Sequence, residues 1–158
     1  MMTEKEKLVE NMGVHFERLF NLPPLAARIY ILLLLSNRDG LSFEEIRGFT
    51  DASKSSVSAN INLLLQGERI NFLTKPGDRK RYFKPSPQFL SLRIKESLGL
   101  LQKEAEIVNQ ILHYNTQNEV NGFSKIQPKL EKYAEHLQEV QQKYNESLQH
   151  FYEKNESI

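Results

Sequence analysis

The sequence predicts a mainly α-helical protein with one two-stranded β-hairpin, and three observations carry that prediction. Apolar residues recur at helical spacing over most of the 158 residues. One stretch, Arg69 to Lys84, breaks this rhythm. It is rich in Ile, Phe, Tyr and Thr and folds back at Pro76-Gly77-Asp78. Positive charge is concentrated in the same region: residues 54 to 84 hold seven Lys or Arg against two acids, Glu68 and Asp78, while both flanks are net acidic. The whole-chain excess of +1 therefore conceals a local basic patch of the kind that neutralises phosphates. A solvated surface reads the same way by charge alone, so the local elements have to discriminate.

The composition sets outer limits. A length of 158 residues fits one domain with an extension or two small units. A mean hydropathy of −0.53 suggests long exposed helices. The longest apolar run, Ile29 to Leu35, is far shorter than the roughly 20 residues a bilayer requires. The amino terminus has no apolar signal stretch, so a cytoplasmic protein is expected. With no cysteine, thiol catalysis, disulfides and Cys-ligated zinc are excluded.

Residues 3 to 20 read as an amphipathic helix through Leu8, Val9, Met12, Phe16, Leu19 and Phe20. Pro23 and Pro24 suit a first helical turn, and the segment to about Ser36 is apolar on most sides, which places it at the centre of a core. Ser42 and Glu45 have capping-box spacing and open a short third helix through about Gly48. Ser53 caps a fourth helix that stops at Gly67. Val57, Ile61 and Leu64 face inward there, and Ser55, Ala59, Asn62 and Gln66 point outward. This small, polar outer face lets the backbone approach another surface closely, as a major groove requires. The alternative is solvent-facing filler, and Leu63 fits neither face.

Arg69 to Lys75 and Arg79 to Lys84 read as strands, joined by a type II turn with Pro76 second and Gly77 third. Arg79, Lys80 and Arg81 leave that turn as three consecutive cations, which repel one another unless anions are near. Pro85 ends the hairpin, and Ser86-Pro87 starts a fifth helix. Its stripe of Leu90, Ile94, Leu98, Leu101, Ala105, Val108 and Leu112 is interrupted at Asn118 to Gly122. Ser124 caps a sixth helix that continues with Ile126, Leu130, Tyr133, Leu137, Val140, Tyr144, Leu148 and Phe151. Two such helices are too long for a small head to cover, and a second copy of the chain is the expected partner; a self-contained helical hairpin is the alternative.

Three helices followed by a hairpin is the winged helix-turn-helix order. The expected division is a winged helix-turn-helix DNA-binding domain at 1–85 and a helical dimerisation region at 86–158, on which the first helix also packs. The segments PLAARIYILLLLS, SFEEIRGFTDASKSSVSANINLLLQ and KPGDRKRYF resemble the GbsR-like branch of the MarR superfamily of bacterial transcriptional regulators over about Pro24 to Phe83. The resemblance implies a homodimer on a palindromic double-stranded DNA operator, with the fourth helix in the major groove and the hairpin as a wing. It also implies repression that a small-molecule effector relieves. Carried onto this chain, Ser53, Lys54, Ser55 and Ser56 sit at the recognition helix amino terminus and are assigned to phosphates. Ser58, Asn62 and Asn60 are the candidates for base edges, and Lys75, Arg79, Lys80 and Arg81 make up the basic wing.

The sequence offers residues for two further site types. Phe16, Phe20, Tyr30, Phe89, Tyr114 and Phe123 could converge as an aromatic pocket, though aromatics at helical spacing also form plain core; the GbsR resemblance suggests choline or a similar quaternary amine as its ligand. His15, His113, His136 and His150 show no metal-ligand spacing, so neither a metal nor a cofactor is expected. No phosphate loop, nucleophile elbow or supported carboxylate pair is present, which argues against an enzyme. The competing class is a winged-helix interaction module that binds a protein partner, or DNA without sequence preference.

Overall fold

The computed structural model describes residues 2–118 and 125–155. The expected Ser124 cap, Phe123 and all of the Asn118–Gly122 break except Asn118 lie outside the described residues, as do the side chains of Leu90 and Phe151. The chain divides after Phe89 into two compact units.

In the first unit, α1 (Glu4–Phe20) opens on a capping box in which Thr3 Oγ1 accepts the Glu6 N–H and the Glu6 carboxylate accepts the Thr3 N–H. α2 (Pro24–Leu34) is the centre of the core. Ala26, Ala27, Ile29, Tyr30, Ile31, Leu32 and Leu33 are all buried, as its apolar circumference requires. α1 is fixed to it by Arg28, whose guanidinium meets Glu10 at 2.8 Å and Glu17 at 2.7 Å. α3 (Phe43–Thr50) carries the expected Ser42–Glu45 capping box and runs two residues past Gly48, to a left-handed Asp51. α4 (Lys54–Gln66) buries Val57, Ile61 and Leu64, the inward set read from spacing.

The hairpin belongs to a three-stranded antiparallel sheet of order β1-β3-β2. It consists of β1 (Leu41–Ser42), β2 (Ile70–Thr74) and β3 (Arg81–Pro85). β1 pairs Leu41 with Phe83 and Ser42 with Tyr82. At two residues it is too short to show an alternating pattern, which is why the sequence gives no sign of it. Both hairpin strands are shorter at the turn end than expected. The type II turn is present, with Gly77 at φ 78° and the Asp78 N–H donating to the Lys75 carbonyl at 3.0 Å. The Asp78 side chain then captures the Lys80 N–H, so Arg79 and Lys80 stay in the loop. Pro85 is the last residue of β3, paired with Ile70. The fifth helix begins at Phe89 rather than at Pro87, because residues 87 and 88 form a turn in which Ser86 Oγ accepts the Gln88 N–H. The left-handed residue that closes α4 is Glu68, at φ 54°, not Gly67. Arg69 N–H reaches the Leu64 carbonyl and Glu68 N–H the Leu65 carbonyl, the paired bonds of a Schellman motif.

The second unit contains α5 from Leu90 onward (the helix spans Phe89–Gln117) and α6 (Gln127–Asn155). They form an antiparallel pair tied by Asn115 to Gln127, Tyr133 to Glu104 and Gln141 to the Leu101 carbonyl. Leu98, Val108, Leu137 and Leu148 are buried. A second set, Leu100, Ile107, Ile111 and Tyr114, is exposed, with Leu100 at 66%. Steps of 7, 4 and 3 residues put these four side chains on one face of α5.

Two glycines test the sheet. Gly40 has φ 93°, and a Cβ there would lie 3.0 Å from Tyr82 Cβ and 3.1 Å from the Phe83 carbonyl oxygen, whereas Gly77 opens onto free space. In urea unfolding, Gly77→Ala should cost about 1 kcal/mol, for backbone strain alone, and Gly40→Ala roughly 2 kcal/mol or more. Equal costs would contradict the close approach of Gly40 to β3.

Candidate nucleic-acid interface

α4 is a short helix whose apolar residues, spaced by four and then three, commit one side to the core and leave Ser55, Ser58, Ala59, Asn62 and Gln66 exposed. Ser53 holds its amino terminus: Oγ accepts the Ser56 N–H at 3.2 Å and donates to Ser56 Oγ at 2.9 Å, with Ser55 Oγ at 3.1 Å. Ser53 is therefore engaged as the cap, while Lys54 and Ser55 remain on the exposed first turn beside the helix's free N–H groups. Asn60 is half-buried, and its amide nitrogen donates to the Ser56 carbonyl at 2.8 Å. Of the residues considered for base edges, Ser58 and Asn62 are the exposed pair. Leu63, which fits neither face by spacing, is 39% exposed.

The hairpin brings its cations to two sides. Strand pairing places Phe72, Thr74, Arg81 and Phe83 on one face and Leu73, Lys75, Tyr82 and Lys84 on the other. Arg81 stacks its guanidinium 4.6 Å from the Phe72 ring centroid, and the Lys75 ammonium sits 4.1 Å over the Tyr82 ring. Lys84 pairs with Asp39 at 3.3 Å. Lys54, Arg79 and the Lys80 ammonium carry no ion pair among the described residues.

A cleft of about 460 Å³ joins the two elements. Ser58 and Asn62 from α4 line it together with Lys80 and Arg81 from the hairpin; Phe43, Ile61, Leu65 and Phe83 contribute apolar lining, and Ser42 and the acidic Glu44 complete it. Sequence spacing could not anticipate this meeting, because the seat of the hairpin against α4 depends on β1 and on the core beneath.

The aromatic residues considered for a pocket separate. Phe16, Phe20, Tyr30 and Phe89 come together in the first unit, with ring centroids 4.9 to 6.3 Å apart in tilted or edge-on contact. Arg69 joins them, a placement that sequence spacing does not signal. It is 9% exposed and lies 4.8 Å over the Phe20 ring. Tyr30 is 1% exposed, so a ligand would have to part these rings to enter. Tyr114 is an exposed residue of α5, and Phe123 lies outside the described residues. Among the described residues no group of three or more His, Asp or Glu is placed to hold a metal ion, and no helix is long and apolar enough to cross a membrane.

No protein-family model matches the chain. The HTH-type transcriptional regulator MmpR5 of Mycobacterium tuberculosis is 33% identical over 103 residues, which cover 65% of this chain and 62% of that protein; the chain thus spans less than two thirds of that relative. A solved structure of a transcriptional regulator superposes over 96% of this chain and 99% of its own, at 22% identity and a TM-score of 0.61. A mutant of S. aureus MepR covers 77% of this chain and 91% of its own, at 16% identity and a TM-score of 0.41, too loose to inform the fold. The first solved structure supports the architecture described above, a winged-helix head followed by long carboxy-terminal helices.

The cap of α4 can be tested directly. Ser53→Ala removes the acceptor for the Ser56 N–H and should lower stability by about 1 kcal/mol in urea unfolding. No loss would show that the cap contributes little to holding this helix.

Proposed function

We propose that this chain is a sequence-specific double-stranded DNA-binding transcriptional regulator. The observation that carries the reading is the shared cleft, where the small polar residues Ser58 and Asn62 face the cations Lys80 and Arg81 across a gap between helix and hairpin. α4 suits a major groove because Lys54, Gln66 and the flanking Leu63 are the only long side chains on its exposed face among the described residues. Lys54, Arg79 and Lys80, without ion pairs among the described residues, suit phosphates. The likeness to MmpR5 supports the same class, and the MarR superfamily, in its GbsR-like branch, remains the reading of the PGDRKRY segment. Repression relieved by an effector is part of that reading.

The proposed assembly is a homodimer. The exposed face of Leu100, Ile107, Ile111 and Tyr114 is an apolar stripe on a helix, and burying such side chains is worth about 1.5 to 3 kcal/mol each. A two-fold dimer would read two half-sites roughly 34 Å apart, or a multiple of that spacing.

A gel-shift assay with DNA flanking the chain's own gene, against scrambled duplex at physiological salt, separates this reading from that of a non-specific interaction module. A specificity ratio of at least about 10³ is expected, and a ratio near one would sink the regulator reading. Arg79→Ala should weaken specific and random duplex about equally and reduce the salt slope by about one; a changed sequence preference would instead make Arg79 a base reader. Light scattering at micromolar concentration should give twice the 18.4 kDa chain mass, and a single-chain mass would refute the dimer.

A further inference from the structure

The loop that presents Arg79 and Lys80 also contains an acid, Asp78. On a surface that meets phosphate, a carboxylate is electrostatically unfavourable, because like charges a few ångströms apart repel, and more strongly near a protein surface than in bulk water. Its position therefore calls for a compensating role, and its bonds supply one. Asp78 Oδ1 accepts the Lys80 N–H at 2.9 Å, and Oδ2 accepts the Tyr82 hydroxyl at 2.6 Å. The Asp78 N–H closes the turn onto the Lys75 carbonyl. Tyr82 lies in the central strand, paired with Ser42 on one side and Leu73 on the other, so it is anchored where the loop is not. Its ring in turn carries the Lys75 ammonium. One side chain thus bears on the first residue of the six-residue connection between β2 and β3 and, through Asp78, on its second half.

We infer that Tyr82 is the positioning residue of the wing, holding the 75–80 loop through Asp78 and through its ring so that Arg79 and Lys80 are presented in one arrangement before DNA arrives. The inference rests on the DNA-binding reading and deepens it. Ordering a loop in advance improves affinity by removing a cost of binding, without adding a contact. The hydrogen bond to Tyr82 lowers the Asp78 pKa below the usual carboxylate value, and the same bond raises that of the Tyr82 hydroxyl. The pair therefore stays in its bonded form through neutral pH. It is lost as pH falls through the lowered carboxylate value or rises through the raised phenol value.

The test uses the full chain and a random-sequence duplex, titrated at several salt concentrations. Tyr82→Phe keeps the ring under Lys75 and removes only the hydroxyl. It should weaken binding about three- to tenfold at every salt concentration with an unchanged salt slope, because the same phosphates are met once bound. Asp78→Ala should also weaken binding, although it deletes a negative charge. Asp78→Asn, which keeps an acceptor for the Lys80 N–H and sheds the charge, should bind more tightly than Asp78→Ala. If Asp78 is only an opposing charge, Asp78→Ala will tighten binding and Tyr82→Phe will change nothing, and either result overturns the inference. So does a drop of several degrees in melting temperature for Tyr82→Phe, which would mark a general structural role. A second arm needs no DNA. Trypsin can cut the free protein after Arg79, Lys80 and Arg81 but not after Lys75, which precedes proline. Cleavage there should be at least about threefold faster in Tyr82→Phe and Asp78→Ala; equal rates would refute the clamp. A wild-type protein that bound no duplex would remove the DNA-binding reading, while the cleavage rates would still decide whether the loop is held.

Discussion

Everything in the first unit depends on α2 having almost no face turned to water. Ile29, Ile31, Leu32 and Leu33 are at most 2% exposed, so α1, α3, α4 and the sheet must all supply surface to cover this one helix. Each such side chain gains about 1.5 to 3 kcal/mol on burial, a large fraction of what separates folded from unfolded chains. That requirement fixes which side of α4 points inward. With Val57, Ile61 and Leu64 committed to the core, the opposite side can only be Ser55, Ser58, Ala59 and Asn62. The candidate DNA face is thus a by-product of covering α2.

The parts that were legible in the sequence are those whose causes are local. The Ser42–Glu45 box, the Ser53 cap and the Pro76-Gly77 turn each depend on a few adjacent residues, and each is present. What stayed hidden depends on tertiary partners. β1 exists because Leu41 and Ser42 find Phe83 and Tyr82. The left-handed residue after α4 is Glu68 rather than the adjacent Gly67, since the bonds back to Leu64 and Leu65 determine which residue must turn. Asn60 looks by spacing as available as Asn62, yet its side chain bonds its own helix. The cleft and the Asp78–Tyr82 contact were invisible because periodicity assigns faces to an element but not the distances between elements.

Charge follows the same division. By sequence the wing is a run of three cations, but the structure gives each a different setting. Arg81 lies on Phe72 and lines the cleft; Lys80 is held by its backbone; Arg79 is exposed. A cation laid on an aromatic ring keeps its charge while losing conformational freedom, so the basic surface is more ordered than its composition suggests.

The two sides of α4 also bear on how such a protein can change. Residues that hold the helix in place and residues that face outward do not overlap, and substitutions at exposed positions away from caps and core usually alter folding by no more than about 0.5 kcal/mol. Ser58, Ala59 and Asn62 can therefore drift with little effect on whether the chain folds. A lineage carrying this head could change the outer face of α4 through a few neutral-to-folding steps, with α2 and its cover unchanged.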